Sequence, residues 1–208
     1  YNRVEKTKLC LRHCFDAISL TKNFDHDIFL LDDNSPDKTG EIIRNLYPTI
    51  NVIYGNGKYF WCGGTRKLWE YASTKKDYDF YVWLNDDSIL YKNSFSVIYN
   101  DLKTKNSSII VGTFISSNKS LQKITYGGRN KNLKLIEPSG EPQECTLING
   151  NFVFIPREVF KKIGFLSNKF THNYGDIDYG LRAIKKKIKI FIASEVVGVC
   201  NQNEIEVW

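Results

Sequence analysis

Apolar residues along the chain recur first at the spacing of a helix. Leu11, Cys14, Phe15 and Ile18 lie at positions i, i+3, i+4 and i+7, which places them on one face of a helix. The pattern therefore predicts a helix with a single apolar stripe over residues 4–19.

Short apolar runs then alternate with further helical segments. The predicted strands cover residues 28–31, 50–55, 79–84, 107–116 and 188–193, and the predicted helices cover residues 36–48, 65–73 and 176–187. Residues 117–145 predict loops or short hairpins, and residues 145–166 predict a strand, a turn, a second strand and a short helix opened by Pro156. Strands that alternate with helices are typical of βαβ units, so we expect an α/β fold with a mostly parallel sheet.

Composition narrows the class of protein. A chain of 208 residues with 42% hydrophobic residues is long enough for one globular domain with a substantial core. The net charge of +6 is spread without a basic stripe, so no nucleic-acid partner is expected. No apolar stretch approaches the roughly 20 residues of a membrane span, and no signal-peptide pattern is present. Five irregularly spaced cysteines favour a reducing compartment over a disulfide framework.

Four lysines cluster at the end of the last predicted helix: Lys185, Lys186, Lys187 and Lys189. Positive charge at a helix C-terminus complements the helix dipole and suits a solvated face. The same cluster suits contact with an anionic membrane surface. Both interpretations stay open.

Two adjacent aspartates, Asp86 and Asp87, end the aromatic strand over 79–84, and we refer to them as the acid pair. Neighbouring carboxylates repel each other, so a positive group or water is expected beside them. Hard divalent cations take oxygen ligands, and Mg²⁺ typically uses one or two carboxylates together with substrate phosphates. The alternative is a polar turn that caps the next helix and faces water.

Asp32 and Asp33 follow the predicted strand over 28–31. Open α/β sheets bind ligands at the carboxyl ends of their strands, where both aspartate pairs are expected to lie. A carboxylate there is suited to accept a hydrogen bond from a nucleobase or a ribose hydroxyl. The alternative is a turn with a helix cap around Pro36.

Asp176 and Asp178 precede a helical segment that contains Arg182. A carboxylate in a cleft acts as a general base when it reaches the proton that it must take. The alternative is a helix cap at Asp176 and an i, i+4 ion pair of Asp178 with Arg182, which contributes about 0.2–0.5 kcal/mol.

The glycine-containing segment 55–64 does not match the phosphate-binding loops with known glycine spacing. Gly63 and Gly64, placed ahead of the predicted helix, would present backbone N–H groups to an anion. The neighbouring aromatic residues Tyr59, Phe60 and Trp61 suit either the core or a platform on which a sugar stacks.

The order of these motifs resembles glycosyltransferase family 2, whose members have the GT-A fold. The matching segments are YNR at 1–3, LLDDNSPDKT at 30–39, WLNDDS at 83–88, INGNFVFIPREVFKKIGFLSNKF at 148–170 and YGDIDYGLRAIKKK at 174–187. The resemblance implies one catalytic domain over 1–208, with a nucleotide-binding half (1–110) and an acceptor and catalytic half (111–208). It also implies a Rossmann-like, mostly parallel sheet flanked by helices, whose first strand would precede Tyr1 and so be missing here.

The resemblance further implies inverting transfer of a sugar from a UDP- or dTDP-sugar to an acceptor hydroxyl, with Mn²⁺ or Mg²⁺ as cofactor. By position, Asp176 would be the catalytic base and Asp87 the metal ligand. Nucleotide contacts would come from Asn2, Arg3, Asp32, Asp33 and Asp86. Sugar contacts, to acceptor or donor, would come from Trp61, Gly64, Asn149, Gly150 and Asp178.

The chain departs from the family pattern at two positions. Asn85 stands first in the metal-binding motif, which leaves Asp87 as the expected ligand, and Gly175 stands where a glutamate is frequent. A third metal ligand, present in some members, would lie near residues 198–203.

The resemblance also implies a biological setting, which is bacterial surface polysaccharide or glycan synthesis on a glycan or lipid-linked acceptor. The expected location is cytoplasmic, with peripheral contact at the inner face of the membrane. A nucleotidyltransferase that makes the activated sugar and a carbohydrate-binding domain without catalysis are the alternative functions.

Overall fold

The computed structural model describes residues 1–21, 24–118 and 123–202. Its helices are α1 Val4–Ser19, α2 Thr39–Leu46, α3 Phe60–Ser73, α4 Ser94–Thr104, α5 Arg157–Ile163 and α6 Gly175–Lys185. Its strands are β1 Phe29–Asp32, β2 Asn51–Tyr54, β3 Phe80–Leu84, β4 Ile89–Leu90, β5 Ile109–Ile115, β6 Ile124–Tyr126, β7 Gln143–Glu144, β8 Phe152–Pro156 and β9 Ile190–Val199. The predicted α/β class is confirmed.

The strands form two sheets. Strands β1 and β2 pair in parallel, and the other strands follow the order β3-β8-β5-β9-β4, with β6 beside β5 and β7 beside β9. Strands β5 and β9 are parallel, whereas β8 runs antiparallel to both β3 and β5. The sheet is thus mixed rather than mostly parallel. Parallel neighbours need a crossover connection, which is usually a helix. No helix lies between β5 and β8 in the described parts of 116–151, which agrees with their antiparallel pairing.

Helix α3 begins at Phe60, earlier than the predicted start at Thr65. The side chain of Asp33 accepts hydrogen bonds from the backbone N–H groups of Tyr59 (2.8 Å) and Phe60 (3.3 Å). This carboxylate satisfies N–H groups that a helix start leaves without partners. The capping carboxylate belongs to the residue that follows β1. It allows α3 to begin at Phe60, so that Gly63 and Gly64 lie inside the helix.

Two local predictions about strands were wrong, and one short strand was missed. The predicted strand at the start of 145–166 is reduced to a single bridge between Leu147 and Arg129. Strand β9 extends to Val199, beyond the predicted end at residue 193, because it pairs with β5, β4 and β7. The short strand β4, which follows the acid pair and pairs with β9, was not predicted.

Aromatic packing joins helix α3, strand β3 and helix α6 in the core. The ring of Trp83 lies 5.6 Å from that of Trp69 and 5.1 Å from that of Tyr179. All three side chains are at most 4% exposed. Such ring pairs contribute about 0.5–1.5 kcal/mol each beyond their burial. The packing holds β3, α3 and α6 against each other. The end of β3 and the first turn of α6 lie next to polar residues described below.

The five cysteines are all free and buried. Within the described ranges, every helix is too short or too polar to cross a bilayer.

Candidate functional site

The acid pair lies at the carboxyl end of β3 and faces the start of α1. The Arg3 guanidinium donates hydrogen bonds through Nη1 to Asp86 Oδ1 (2.9 Å) and to Asp87 Oδ2 (3.2 Å). The side chains of Arg3, Asp86 and Asp87 are 33%, 29% and 14% exposed, so the pair is not a freely solvated turn. Burial alone would lower the pKa of Arg3, but attraction to the two carboxylates outweighs it and raises that pKa.

Within the described ranges, the second oxygen of each acid has only a weak hydrogen-bond partner. Thr7 Oγ1 lies 3.4 Å from Asp86 Oδ2, and Cys200 Sγ lies 3.8 Å from Asp87 Oδ1. Burial and the nearby Asp87 raise the pKa of Cys200 to about 12, so its sulfur is a neutral thiol at pH 7. Cys200 belongs to the segment 198–203 that was expected near the metal, whose residue 203 lies outside the described residues.

Asp32 has a structural role in the turn before α2. Its side chain is buried, and its two oxygens accept hydrogen bonds from Ser35 N (3.0 Å) and Gly40 N (2.8 Å). A Cβ at position 40 would lie 2.8 Å from Asp32 Cβ, so the approach of helix α2 requires glycine. These contacts match the turn-and-cap alternative, and nucleotide binding by Asp32 stays a prediction.

Asp33 organises the segment between β2 and α3. Besides the two helix N–H groups, its carboxylate accepts a hydrogen bond from Gly57 N at 2.8 Å. Asn2 is attached to the turn that follows this strand, where its backbone N–H donates to Ser35 Oγ over 3.0 Å. The residues expected to contact the nucleotide therefore gather at the ends of β1 and β3 beside the start of α1.

Asp176 lies in the first turn of α6. Its carboxylate accepts hydrogen bonds from Gly150 N (3.0 Å) and Ile177 N (2.9 Å). Burial raises the pKa of Asp176, although the two N–H groups work against this shift. A half-buried carboxylate with a raised pKa is suited to accept a proton.

Trp61 connects the acid pair to Asp176. Its indole Nε1 donates to Asn85 Oδ1 over 2.7 Å. On the other side its ring lies against Gly150, where an added Cβ would come within 2.1 Å of the ring. Gly150 in turn donates its N–H to Asp176. Asn149 supports this turn by accepting a hydrogen bond from Asn151 N at 3.2 Å.

The model of Glycosyl transferase family 2 matches residues 1–164. The chain belongs to this family. Membership supports glycosyl transfer as the class of reaction, while a search of curated proteins gives no match.

Solved structures of glycosyltransferases share the GT-A fold of this family 2 chain. The mannosyltransferase PcManGT from Pyrobaculum calidifontis, in complex with GDP-Man and Mn²⁺, is similar at TM-score 0.66 and 11% identity, over 100% of this chain and 56% of that one. GalNAc-T7 with UDP, GalNAc and Mn²⁺ gives 0.65 and 14%, over 92% and 41%. TarS 1-349 from S. aureus gives 0.64 and 12%, over 97% and 58%. The chain thus spans roughly half the length of these proteins.

The side chains of the family 2 chain fit a divalent cation only in part. Among the described residues, no three or more His, Cys, Asp or Glu side chains are grouped to hold a metal. Two carboxylates nevertheless suit Mg²⁺ or Mn²⁺ when a bound diphosphate supplies further oxygens. In the structure, Arg3 contacts one oxygen of each of these carboxylates.

Two of the expected sugar-contacting residues have clear structural roles. Gly64 lies inside α3 rather than ahead of it, and an added Cβ would approach Leu31 Cδ2 at 2.9 Å. The N–H of Gly63 donates to Thr171 O at 2.9 Å and is therefore not free to bind an anion. The prediction of an anion site on this glycine pair was wrong. Asp178 pairs with Arg182 Nε at 2.8 Å, as in the helix-pair alternative. Sugar contact by Gly64 and Asp178 stays a prediction.

Three exposed rings lie at or just before the starts of α3 and α6: Phe60, His172 and Tyr174. His172 and Tyr174 were not among the predicted site residues. Phe60 is 59% exposed, and its ring centroid lies 5.7 Å from that of His172. Tyr174, 65% exposed, is the residue before α6. Phe60 and Tyr174 both have left-handed backbone conformations, with φ of 50° and 67°. The sequence offered the aromatic run 59–61 as either core or platform, and Phe60 is the residue that faces solvent.

Proposed function

We propose that the chain is a catalytic domain that transfers a sugar, with inversion, from a nucleoside-diphosphate donor to an acceptor hydroxyl. The observation that supports this best is the path from Asn85 through Trp61 and Gly150 to Asp176. It joins a pair of carboxylates suited to a diphosphate-bound cation to a separate carboxylate suited to a base. Inverting transfer needs these two functions on opposite sides of one reacting carbon.

In this proposal Asp176 accepts the proton of the acceptor hydroxyl while the hydroxyl oxygen attacks the anomeric carbon. The bond from that carbon to the diphosphate oxygen breaks, and the nucleoside diphosphate leaves with the bonding electrons. Asp87 would hold Mn²⁺ or Mg²⁺, with Asp86 beside it, and the bound cation would neutralise charge on the leaving diphosphate. The burial that raises the pKa of Asp176 makes it the stronger base.

The donor is held at the strand ends in this proposal. Asp33 would contact the base, with Asp32 nearby, and Asp86 would approach the ribose. Asn2 and Arg3 would complete the nucleotide contacts. Structural relatives were solved with UDP and with GDP-Man, so both nucleotides belong in the first binding test beside dTDP. The sugar rings of donor and acceptor would contact Trp61, Gly64, Asn149, Gly150 and Asp178.

We further propose that the domain acts in bacterial surface polysaccharide or glycan synthesis at the cytoplasmic face of a membrane. Lysines line a cavity of about 510 Å³ on the surface: Lys105, Lys162, Lys186, Lys187 and Lys189. Such a basic face suits anionic lipid headgroups and would bring the domain to a lipid-linked acceptor. Sedimentation with vesicles containing anionic lipid tests this, because binding should disappear when Lys186 and Lys187 are both changed to Gln.

Calorimetric titration of UDP, GDP and dTDP, with Mn²⁺ and then with EDTA, tests the function without knowledge of the acceptor. We expect metal-dependent binding of one nucleotide, which Asp87→Ala removes. Asp16→Ala, which deletes an exposed carboxylate on α1, is the matched control and should bind as wild type does. Absence of binding to all three nucleotides would reject the proposal and favour a carbohydrate-binding domain.

A further inference from the structure

The guanidinium of Arg3 occupies carboxylate oxygens of the acid pair that a bound cation would also need. A single nitrogen, Nη1, bridges Asp86 Oδ1 and Asp87 Oδ2. One positive charge therefore already offsets the repulsion between two adjacent carboxylates. The contact is long-range, since 83 positions separate Arg3 from Asp86.

The backbone around Arg3 is held independently of this contact. Arg3 is the residue that precedes α1, and its carbonyl accepts a hydrogen bond from Thr7 Oγ1 at 3.0 Å. The next N–H, of Val4, donates to Asp37 Oδ2 at 3.0 Å. The side chain can therefore leave the acid pair by rotation about its own bonds while the helix start stays in place.

We propose that Arg3 is a built-in counter-cation of the acid pair, and that a divalent cation binds there only when the guanidinium moves away. Both cations need the same carboxylate oxygens, and two positive groups at that distance repel each other. In the absence of nucleotide, Arg3 thus keeps the metal affinity of the protein low. This inference goes beyond the proposed function and depends on it only for the role of the nucleotide.

A nucleoside diphosphate would offer the displaced guanidinium a new partner. Arginine has five N–H donors in a fixed fork that matches phosphate oxygens. Among the described residues, Nε and Nη2 of Arg3 contact no hydrogen-bond acceptor. Binding of the diphosphate would therefore release the acid pair, so that metal and donor bind together rather than separately.

The test is a titration of nucleotide-free protein with Mn²⁺, in which electron paramagnetic resonance measures the concentration of free ion at each step. We expect Arg3→Gln to bind Mn²⁺ about fivefold more tightly than wild type, the upper end of what loss of a partly exposed competing ion pair allows. Arg3→Lys keeps the charge and should stay within about twofold of wild type. Arg12→Gln makes the same charge change on an exposed part of α1 and controls for net charge.

An Mn²⁺ affinity of Arg3→Gln equal to or weaker than that of wild type would overturn the proposal, as would absence of binding to every variant. If Arg3→Gln does not fold, nuclear magnetic resonance of the arginine side-chain ¹⁵N signals of the wild type tests the proposal instead. They should shift for Arg3 on saturation with Mg²⁺, and an unchanged signal at saturation contradicts displacement.

A second titration with UDP or GDP present separates this inference from the proposed function. Nucleotide should tighten Mn²⁺ binding to wild type and narrow the gap to Arg3→Gln. If neither nucleotide binds, the glycosyl-transfer proposal fails, while the nucleotide-free titration still decides the role of Arg3.

Discussion

The indole Nε1 of Trp61 donates to the amide oxygen of Asn85 over 2.7 Å. Asn85 stands directly before the acid pair, at the position where the family pattern has an aspartate. The amide oxygen satisfies the half-buried indole N–H without adding a third negative charge beside Asp86 and Asp87. We therefore interpret Asn85 as a positioning residue that ties the acid pair to α3.

The first prediction concerns Asp176 as the base. Asp176→Asn should abolish sugar transfer and leave nucleotide affinity within a few-fold, because the amide cannot take the acceptor proton. In the wild type, burial raises the pKa of Asp176, so activity should fall, as pH is lowered, at a higher pH than an ordinary aspartate would give. A pH profile of kcat, with Asp16→Asn on the exposed face of α1 as the control, checks both expectations. Near wild-type turnover by Asp176→Asn would remove this residue from the mechanism.

The second prediction concerns the contact between Trp61 and Gly150. Gly150→Ala would bring a methyl group within 2.1 Å of the indole ring, so the ring must move and its hydrogen bond to Asn85 must break. We expect a loss of about 1–3 kcal/mol in the free energy of unfolding, together with weaker transfer. Denaturant unfolding followed by tryptophan fluorescence measures the first effect.

Gly63→Ala is the matched control for this substitution. The nearest atoms to an added Cβ there lie 3.8 Å away, which is ordinary contact, and alanine favours a helix by about 0.5–1 kcal/mol over glycine. We expect equal or higher stability. A Gly150→Ala variant as stable as Gly63→Ala would show that the ring does not depend on this glycine.

Some features of the site follow from local patterns, and others depend on contacts far apart in the chain. The helix over 4–19 and the acid pair at the end of β3 were predictable, because apolar spacing and strand ends are local signals. The start of α3 was not, since its capping carboxylate comes from Asp33, 27 positions before Phe60. The Arg3 contact likewise depends on the sheet bringing two distant segments together. The direction of β8 could not be read from its composition, because a buried strand has the same residues in either direction.

The third prediction separates the two interpretations of Asp178. Its ion pair with Arg182 joins side chains that are 26% and 30% exposed, so Asp178→Asn should cost about 0.5 kcal/mol of stability. If the role is structural alone, KM values for donor and acceptor stay unchanged. Glu41→Gln, which removes a more exposed pair with Lys38 at 3.9 Å, should have a smaller effect. A marked rise in KM without a loss of stability would instead assign Asp178 to sugar binding.

The last prediction concerns Phe60, whose exposed ring sits on a backbone with φ of 50°. A non-glycine residue in this region costs about 1 kcal/mol or more, and solvent exposure of the ring recovers little of it. Phe60→Gly should therefore leave stability unchanged or raise it by up to about 1 kcal/mol, while transfer to the acceptor weakens through KM. Leu133→Gly changes another exposed apolar residue with φ of 62°. It should change stability by a similar amount and leave sugar transfer unchanged. Equal KM values for the two variants would mean that the Phe60 ring does not contact the acceptor.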